Sequence, residues 1–244
     1  MIGLAKCARD SKGKEIIACA AGGRGDPCTQ LRSAKLRAAR YFALRGEADR
    51  VRTGVVLWED RDMLIDARKY CVDVRMLDGA AVRIRAIRPD DQERLHDHFR
   101  GMSEQSIYFR FMGIRRDLSP QDLKHLTELD FKSHVGLAAT LTENGRERFI
   151  GVGRYICGND PHRAEVAFAI LDEFQGHGIG TLLLEHLRLI ADANGVTEFE
   201  ADVLGENRQM LEVFAHMGFE SHRSLDSGVV HLRSSTSKML KRSF

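Results

Sequence analysis

A glycine-rich segment at residues 175–181 constrains the fold of this chain more than any other feature of its sequence. It follows a strand-like run, residues 164–171, and opens a helix-like run, residues 181–194. Glycines let the backbone turn tightly and leave its amides uncovered, and a helix that starts there adds free N–H groups and the positive end of its dipole. The sequence therefore predicts a strand–turn–helix unit whose main chain binds a phosphate. The segment consists of Gln175, Gly176, His177, Gly178, Ile179, Gly180 and Thr181.

The glycine spacing by itself leaves two interpretations open. It is neither the G-x-G-x-x-G dinucleotide fingerprint nor the G-x-x-x-x-G-K-[ST] phosphate loop. A plain strand-to-helix turn explains the glycines as well as a phosphate site does.

Downstream, the sequence predicts a strand at residues 199–203 and a helix at residues 207–217. With these segments the chain resembles the GCN5-related N-acetyltransferases (GNAT). The acyl-CoA signature of that family, [QR]-x-x-G-x-[GA], matches residues 175–180, and its later N-R-x-M segment and G-F pair match residues 207–210 and 218–219. The resemblance implies an α/β (α+β) GNAT fold, with a mixed, mostly antiparallel sheet flanked by helices.

We predict three parts along the chain. Residues 1–76 form a small α/β accessory module, with a strand or hairpin near its start, a helix over residues 29–44 and a strand over residues 51–58. Residues 77–235 form the GNAT domain, and residues 236–244 form a polar tail, with fraying expected from Arg233 onward. The accessory module shows no catalytic constellation, and the resemblance, which covers residues 80–222, does not reach it.

Hydrophobic patterns predict the remaining elements of the GNAT domain. Strands are expected at residues 82–85, 135–141, 148–155, 164–170 and 228–232, and helices at residues 89–100 and 103–111. Asn144-Gly145 predicts a hairpin turn between two of the strands. Ser119 followed by Pro120 is typical of a helix start.

The composition argues against several classes of protein. No apolar run approaches the roughly 20 residues of a membrane span, and the N-terminus turns polar at once, unlike a secretory signal. Five cysteines at unpatterned spacings, with no C-x-x-C pair, argue against a metal or redox site. We therefore expect scattered thiols in a reducing, cytoplasmic setting. The net charge of +2 and the lack of a stacking-aromatic motif argue against nucleic acid as a partner.

By resemblance, the chain would transfer an acyl group from the cosubstrate acetyl-CoA to an amine, without a metal. Main-chain amides from Gly176 to Thr181 would meet the pyrophosphate, and Thr181 would add a hydroxyl donor. The family's fourth strand splays from its fifth, so main-chain groups of Ile170 and Leu171 would bind the pantetheine arm. Asn207 would reach that arm or the thioester, and it is also suited to cap the helix that it opens.

Glu165 is the candidate general base. An alkyl ammonium has a pKa near 10.4, so only about one in 10³ is neutral at pH 7.4, and a positioned base contributes a rate factor of roughly 10² to 10⁴. Strand alternation places Glu165 with Ala167 and Ala169 on one face, where a carboxylate among small residues is unusual. The alternative is a salt bridge with Arg163 or Arg154.

Three upstream segments resemble one subfamily, the bacterial Pat-type protein lysine acetyltransferases. They are residues 87–91 (I-R-P-D-D), 102–111 (M-S-E-Q-S-I-Y-F-R-F) and 126–130 (L-T-E-L-D). Glu165 falls where the A-E-x-A strand of that subfamily carries its general base. The resemblance implies acetylation of a protein lysine, with an acyl-CoA synthetase as one suggested acceptor. A small-molecule amine N-acetyltransferase and a non-catalytic acyl-CoA sensor are the alternatives.

One position departs from the family pattern. Many acetyltransferases carry a tyrosine four residues before the glycine of the G-F pair, as general acid for the CoA thiolate, and this chain has Phe214 there. A thiolate can leave unprotonated, since thiol pKa values lie near 8.5. Tyr108 and His177 are candidates to replace the tyrosine.

Overall fold

The computed structural model describes residues 66–76, 79–223 and 228–236, together with four short strands nearer the N-terminus. The chain divides into two compact units, of which the first comprises residues 1–42 and 55–61. This unit contains two antiparallel pairs. They are β1 (Cys7–Arg9) with β2 (Glu15–Ile17), and β3 (Tyr41–Phe42) with β4 (Val55–Val56).

These short strands test part of the prediction for residues 1–76. The pairing of β1 with β2 agrees with a hairpin near the start, and β4 lies within the strand expected at residues 51–58. The helix predicted over residues 29–44 is wrong at Tyr41 and Phe42, which pair with Val56 and Val55. Aromatic and β-branched residues favour pairing across strands. The spacing of apolar residues along the sequence, on which the helix prediction is based, cannot reveal such a non-local contact.

The second unit is built on one eight-stranded sheet in the order β11-β12-β10-β9-β8-β7-β6-β5. Neighbouring strands are antiparallel except for β9 and β10, which are parallel. The mixed, mostly antiparallel sheet of the prediction is confirmed. The strands are β5 (Cys71–Arg75), β6 (Ala81–Ala86), β7 (His134–Glu143), β8 (Arg146–Cys157), β9 (Arg163–Ile170), β10 (Glu198–Leu204), β11 (Glu220–Arg223) and β12 (Val229–Ser235).

Five α-helices accompany the sheet in the described part of the chain, and a 3-10 turn (Pro89–Asp91) leads into the first. The third starts as the sequence predicts, because the Ser119 side chain accepts a hydrogen bond from the amide of Asp122 and Asp122 bonds back to the amide of Ser119. This capping box satisfies two amides that a helix start leaves unpaired. The helices are α1 (Gln92–Arg100), α2 (Glu104–Phe111), α3 (Pro120–Thr127), α4 (Ile179–Ala193) and α5 (Arg208–His216).

Helix α4 packs on one face of the sheet, and α1, α2 and α3 pack on the other. Two glycines of β8 allow α4 to lie close. A Cβ at Gly151 would lie 2.8 Å from Ile179, and a Cβ at Gly153 would lie 3.2 Å from Leu183. The largest buried apolar cluster includes this side of the sheet, so the start of α4 is fixed by core packing.

Strand β5 joins the sheet ahead of the boundary predicted at residue 77. It pairs with β6 in register from Cys71 opposite Arg85 to Arg75 opposite Ala81. Cys71 is disulfide-bonded, so the expectation of scattered free thiols is wrong for this cysteine, whereas Cys157 is free. Spacing along the sequence could not reveal a disulfide, which depends on proximity in the fold. A separate role for residues 1–76 stays a prediction.

The sheet also extends further at its C-terminal end than predicted. Strand β12 continues to Ser235, so the fraying expected from Arg233 is wrong. Ser234 is buried, and the amide of Thr236 donates to the Thr197 carbonyl at 2.9 Å. Strand β11 was not expected, because its sequence, Glu-Ser-His-Arg, has no apolar alternation.

A buried ion cluster fastens the start of α1 to the sheet. Arg85 of β6, 1% exposed, donates Nη1 and Nη2 to the two carboxylate oxygens of Asp91 at 2.7 and 2.8 Å. Glu147 of β8 accepts from Nε and Nη2 of the same arginine at 2.8 and 2.6 Å. Asp91 also accepts from the amide of Arg88 at 2.8 Å and so closes the turn before α1. Burial raises the pKa of Asp91, but the hydrogen bonds and charge of Arg85 outweigh burial and hold that pKa below its ordinary value.

Replacing this carboxylate should destabilise the protein in a pH-dependent way. We expect Asp91→Asn to cost about 1.5–3 kcal/mol near pH 7, because hydrogen bonds to a charged partner are lost while Glu147 still pairs with Arg85. The folded-state pKa of Asp91 lies below the unfolded value of about 3.9, so the contribution is present above that pH and is lost as the pH falls through the folded-state pKa. Urea unfolding of wild type, Asp91→Asn and the exposed control Asp90→Asn measures the effect. A gap between wild type and Asp91→Asn that stayed constant down to about pH 3 would contradict this role.

Candidate functional site

The parallel pair of β9 and β10 separates after three residues. Arg163, Ala164 and Glu165 of β9 lie opposite residues 198–200 of β10. Beyond them, β9 is paired only with β8 and β10 only with β12. We call the opening beyond Glu165 the fork. It is the splayed strand pair that the resemblance implies.

The main chain of β9 presents unpaired groups to the fork. In an antiparallel pair, alternate residues direct their N–H and C=O groups to the partner strand. The Leu171 amide donates to the Ile150 carbonyl of β8 at 3.0 Å, so by alternation Phe168 and Ile170 direct theirs away from β8. The Leu171 carbonyl accepts from the Phe174 amide at 2.8 Å. Both main-chain groups of Leu171 are therefore engaged within the protein, whereas the main chain of Phe168 and the amide of Ile170 face the fork.

The glycine-rich segment forms the turn into α4. Gly176 and Gly178 have φ values of 74° and 81°, in the left-handed region that favours glycine. Helix α4 begins at Ile179 rather than at Thr181, so the amides of Ile179, Gly180 and Thr181 belong to its first turn and have no partner within the helix. Gly178 offers no side-chain cap, and no acidic residue lies in the first turn. The turn therefore leaves main-chain donors at the positive end of a 15-residue helix, which favours an anion.

Side chains of the same segment hold the turn in place. The Nε2 group of Gln175 donates to Ser106 Oγ at 3.0 Å and to the Ile170 carbonyl at 3.2 Å. His177 is exposed, and its Nδ1 donates to the Gln175 carbonyl at 2.9 Å. Gln175 thus ties the loop to β9 and α2, and His177 closes the turn. The side chain of Ile179 is buried in the core, so only its main chain is available to a ligand.

A carboxylate just after β9 anchors α2 beside this loop. Asp172 accepts hydrogen bonds from the amide and the hydroxyl of Ser103 at 2.8 and 2.6 Å, and from the hydroxyl of Ser106 at 2.8 Å. Burial raises the pKa of Asp172, but these hydrogen bonds outweigh it and hold the pKa below its ordinary value. The two serines of the 102–111 segment therefore position α2, a role that helix-start patterns alone do not reveal.

Glu165 is the last residue of β9 before the fork, and it is exposed. Within the described residues its carboxylate forms neither a hydrogen bond nor an ion pair. The salt bridges considered as alternatives do not form. Arg163 pairs with Glu198 and Glu200 at 3.0 and 3.1 Å, and Arg154 is buried without a carboxylate partner in the part of the chain that is described. The Glu165 carboxylate is therefore available to take a proton.

Helix α5 supplies Asn207 and Phe214. The Asn207 side chain caps the helix by accepting from the Met210 amide at 3.2 Å, which leaves its amide nitrogen for a ligand. Phe214 is 2% exposed and packs against Phe168 and Phe219, with ring centres 6.0 and 4.6 Å apart. The position where many relatives have a tyrosine is therefore an apolar core position in this protein.

Sequence patterns did not reveal that two arginines lie together near this site, although Arg154 was considered as a salt-bridge partner of Glu165. Arg110 of α2 and Arg154 of β8 line a cavity between the sheet and the helices α1, α2 and α3, and the charge of Glu165 raises the pKa of Arg110 against the larger effect of burial. The only available signal was the position of Arg110 in the 102–111 segment. No group of three metal-ligating side chains occurs among the described residues, and none of the helices described there has the length and apolarity to cross a membrane.

Comparisons with known proteins agree with this geometry. The family model for the acetyltransferase (GNAT) domain matches residues 81–220. Acetyltransferase PA5475 of Pseudomonas aeruginosa is 31% identical over 156 residues, which are 63% of this chain and 84% of that protein. Acetyltransferase Pat of Mycolicibacterium smegmatis is 31% identical over 160 residues, which are 65% of this chain and 47% of that protein, so the chain spans about half the length of that relative. Among solved structures, the GNAT domain of S. lividans PAT has a TM-score of 0.62 and 37% identity, over 68% of this chain and 96% of that one.

Two glycine substitutions should have opposite effects on stability. Gly178→Ala places a Cβ at a φ of 81°, and we expect it to cost about 1–2 kcal/mol. Gly180→Ala lies within α4, where a Cβ would meet nothing within 4 Å, and should stabilise the protein by up to about 1 kcal/mol. Chemical denaturation of both variants measures the difference. Equal effects would contradict the turn geometry described here.

Proposed function

Because the chain belongs to the GNAT acetyltransferase family, we propose that it transfers the acetyl group of acetyl-CoA to the ε-amine of a protein lysine, with Glu165 as general base. The observation that carries this proposal is the unpaired carboxylate at the last paired position of the fork. It lies on the strand that leads directly into the anion-binding turn of α4.

The described residues suit the parts of acetyl-CoA. The amides at the start of α4 would hold the pyrophosphate, and the Thr181 hydroxyl would add a donor. The main-chain groups of Phe168 and the amide of Ile170, which face the fork, suit the amides of the pantetheine arm. The side-chain nitrogen of Asn207 is free to donate to that arm or to the thioester oxygen. Acetyl-CoA would thus be bound mainly by backbone groups. Side-chain substitutions in the loop would therefore change the shape of the binding site more than its charge.

The reaction needs a neutral amine and a leaving thiolate. Glu165 takes a proton from the lysine ammonium, directly or through a water, and the amine nitrogen then bonds to the carbonyl carbon of the thioester. The carbon–sulphur bond breaks as the nitrogen gives its second proton to a water, and CoA leaves as the thiolate. Phe214 cannot protonate this thiolate, because the phenylalanine side chain has no acidic proton. A thiol pKa near 8.5 makes departure without prior protonation feasible at neutral pH.

Exposed apolar side chains on β8, on α2 and in the loop after α2 favour a protein acceptor over a small amine. Ile156, the register partner of Glu165 on β8, is exposed. Tyr108 and Met112, on α2 and at its end, are exposed as well, and Ile114 in the following loop is 93% exposed. Large exposed apolar side chains are typical of surfaces that meet another protein. A small amine would instead need an enclosing pocket.

Removing the carboxylate tests the base assignment. We expect Glu165→Gln to lower the rate of lysine acetylation roughly 10² to 10⁴-fold at neutral pH. The change in stability should be small, because within the described residues the side chain has no hydrogen bond or ion pair to lose. Glu200→Gln is the matched control, since Glu200 lies opposite Glu165 on β10 and is paired with Arg163. Incorporation of radiolabelled acetyl groups into a lysine-rich protein gives the rates. A Glu165→Gln variant that retained the full rate would show that another group is the base.

The choice of acceptor is tested separately. Wild-type protein with acetyl-CoA should acetylate lysines in a panel of proteins faster than a panel of free amines at equal amine concentration. Faster turnover of a free amine would favour a small-molecule acetyltransferase. Calorimetric binding of acetyl-CoA with no turnover on any amine would favour an acyl-CoA sensor.

A further inference from the structure

A cavity of about 30 Å³ lies between the sheet and the helices α1, α2 and α3. Val152 and Arg154 of β8 and Ala169 of β9 form its sheet side, and by strand alternation Glu165 lies on the same face of β9 as Ala169. Its lining is otherwise apolar apart from His98 and Arg110. A cavity of this size has room for about two waters or for one small functional group.

Arg154 is poorly satisfied for a buried guanidinium. It is 4% exposed, and in the part of the chain that is described its hydrogen bond is the one from Nη1 to His134 Nε2, at 3.4 Å. A guanidinium has five N–H donors, so most of its capacity is unused. Burial, and then the nearby charge of Arg110, lower the pKa of Arg154 to about 9, so the group is still charged at neutral pH.

The other polar groups of the cavity do not neutralise this charge. Arg110 is half-buried, and burial and the charge of Arg115 lower its pKa, while Glu165 acts in the opposite direction. His98 is buried, its Nδ1 donates to the Phe149 carbonyl at 3.3 Å, and its Nε2 has no hydrogen-bond partner. Burial lowers the pKa of His98 to about 4, so it is neutral. Two guanidinium groups therefore border an otherwise apolar cavity, and among the described residues Glu165, which is exposed, is the carboxylate whose charge acts on Arg110.

We propose that this cavity is an acyl-chain subsite for the terminal carboxylate of a short dicarboxylic acyl group, such as malonyl or succinyl, carried by CoA. Ala169 lies both in the cavity wall and in the part of β9 that borders the fork, so an acyl chain attached at the fork has a short path to Arg154. The apolar lining suits the methylene carbons, and a guanidinium binds a carboxylate through two parallel hydrogen bonds. The inference rests on the proposed function, because the thioester must bind at the fork.

The transfer itself is unchanged in its chemistry. Glu165 takes the first proton of the lysine ammonium, and the amine nitrogen bonds to the thioester carbonyl carbon. The carbon–sulphur bond breaks as the nitrogen gives its second proton to a water, and CoA leaves as the thiolate. The distal carboxylate stays ionised and unreacted beside Arg154. The modified lysine then carries a negative charge where acetylation leaves none.

Binding of matched thioesters to the full chain tests the subsite without any acceptor. Isovaleryl-CoA has the same number of non-hydrogen atoms as malonyl-CoA, and 4-methylpentanoyl-CoA matches succinyl-CoA. We expect at least one dicarboxylic thioester to bind about tenfold or more tightly than its uncharged match by calorimetry, as charged hydrogen bonds in a desolvated site allow. Arg154→Met should abolish this ratio, and Arg154→Lys should reduce it, since lysine keeps the charge but loses the bidentate geometry. Because the readout is a ratio, a general loss of affinity cancels.

The control is Arg116→Met, an exposed arginine in the loop before α3, which should keep the wild-type ratio. If Arg154→Met fails to fold, Arg154→Lys carries the comparison. Uncharged thioesters that bind wild type as tightly as both dicarboxylic ones would overturn the subsite, and so would a ratio that survives in both Arg154 variants. If acetyl-CoA binds and is turned over in either case, only the subsite fails. If no acyl-CoA binds at all, the proposed function fails with it.

Discussion

The functional architecture depends on one constraint, the early separation of β9 from β10. Glu165 and Glu200 face each other at the last paired position, and only Glu200 is held by arginines, Arg163 at 3.1 Å and Arg233 at 3.4 Å. Like charges at opposed strand positions do not stabilise a strand pair. The facing carboxylates of Glu165 and Glu200 therefore do not favour further pairing of β9 with β10. If the two strands stayed paired, the amides of Phe168 and Ile170 would donate to β10 and would not be available for the pantetheine arm that we propose binds at the fork.

The elements on the two faces of the sheet together fix the loop that follows the fork. On one face, Gly151 and Gly153 let α4 approach closely, so the amides at its start are placed by the rigid core. On the other face, Asp172 fastens α2 through Ser103 and Ser106. The loop between β9 and α4 is therefore fixed from both sides. Such preorganisation reduces the entropy cost of binding a flexible thioester.

Sequence patterns predicted the elements whose causes are local. The Asn144-Gly145 hairpin, the helix start at Ser119 and the tight glycine-rich turn before α4 each follow from the conformational preference of a few residues. The misses have non-local causes. The length of β12 depends on the burial of Ser234. The main-chain hydrogen bond of Leu171 depends on the position of the Ile150 carbonyl in the neighbouring strand β8. The charged cavity at Arg110 and Arg154 brings together residues from different elements, which no periodicity records.

The acyl-CoA signature describes the shape of the site more than its contacts. The side chain of Gln175, the first residue of the signature, donates hydrogen bonds to Ser106 and to the Ile170 carbonyl. Gly178 has a φ of 81°, a conformation that favours glycine. Only the amides that these residues position are left for a ligand, and amides are common to every sequence. The proposed chemistry, by contrast, depends on a carboxylate that has no ion-pair partner among the described residues. Glu165 is a candidate base because Arg163 is taken by Glu198 and Glu200, and the absence of a partner is visible only once the neighbouring strand is in place.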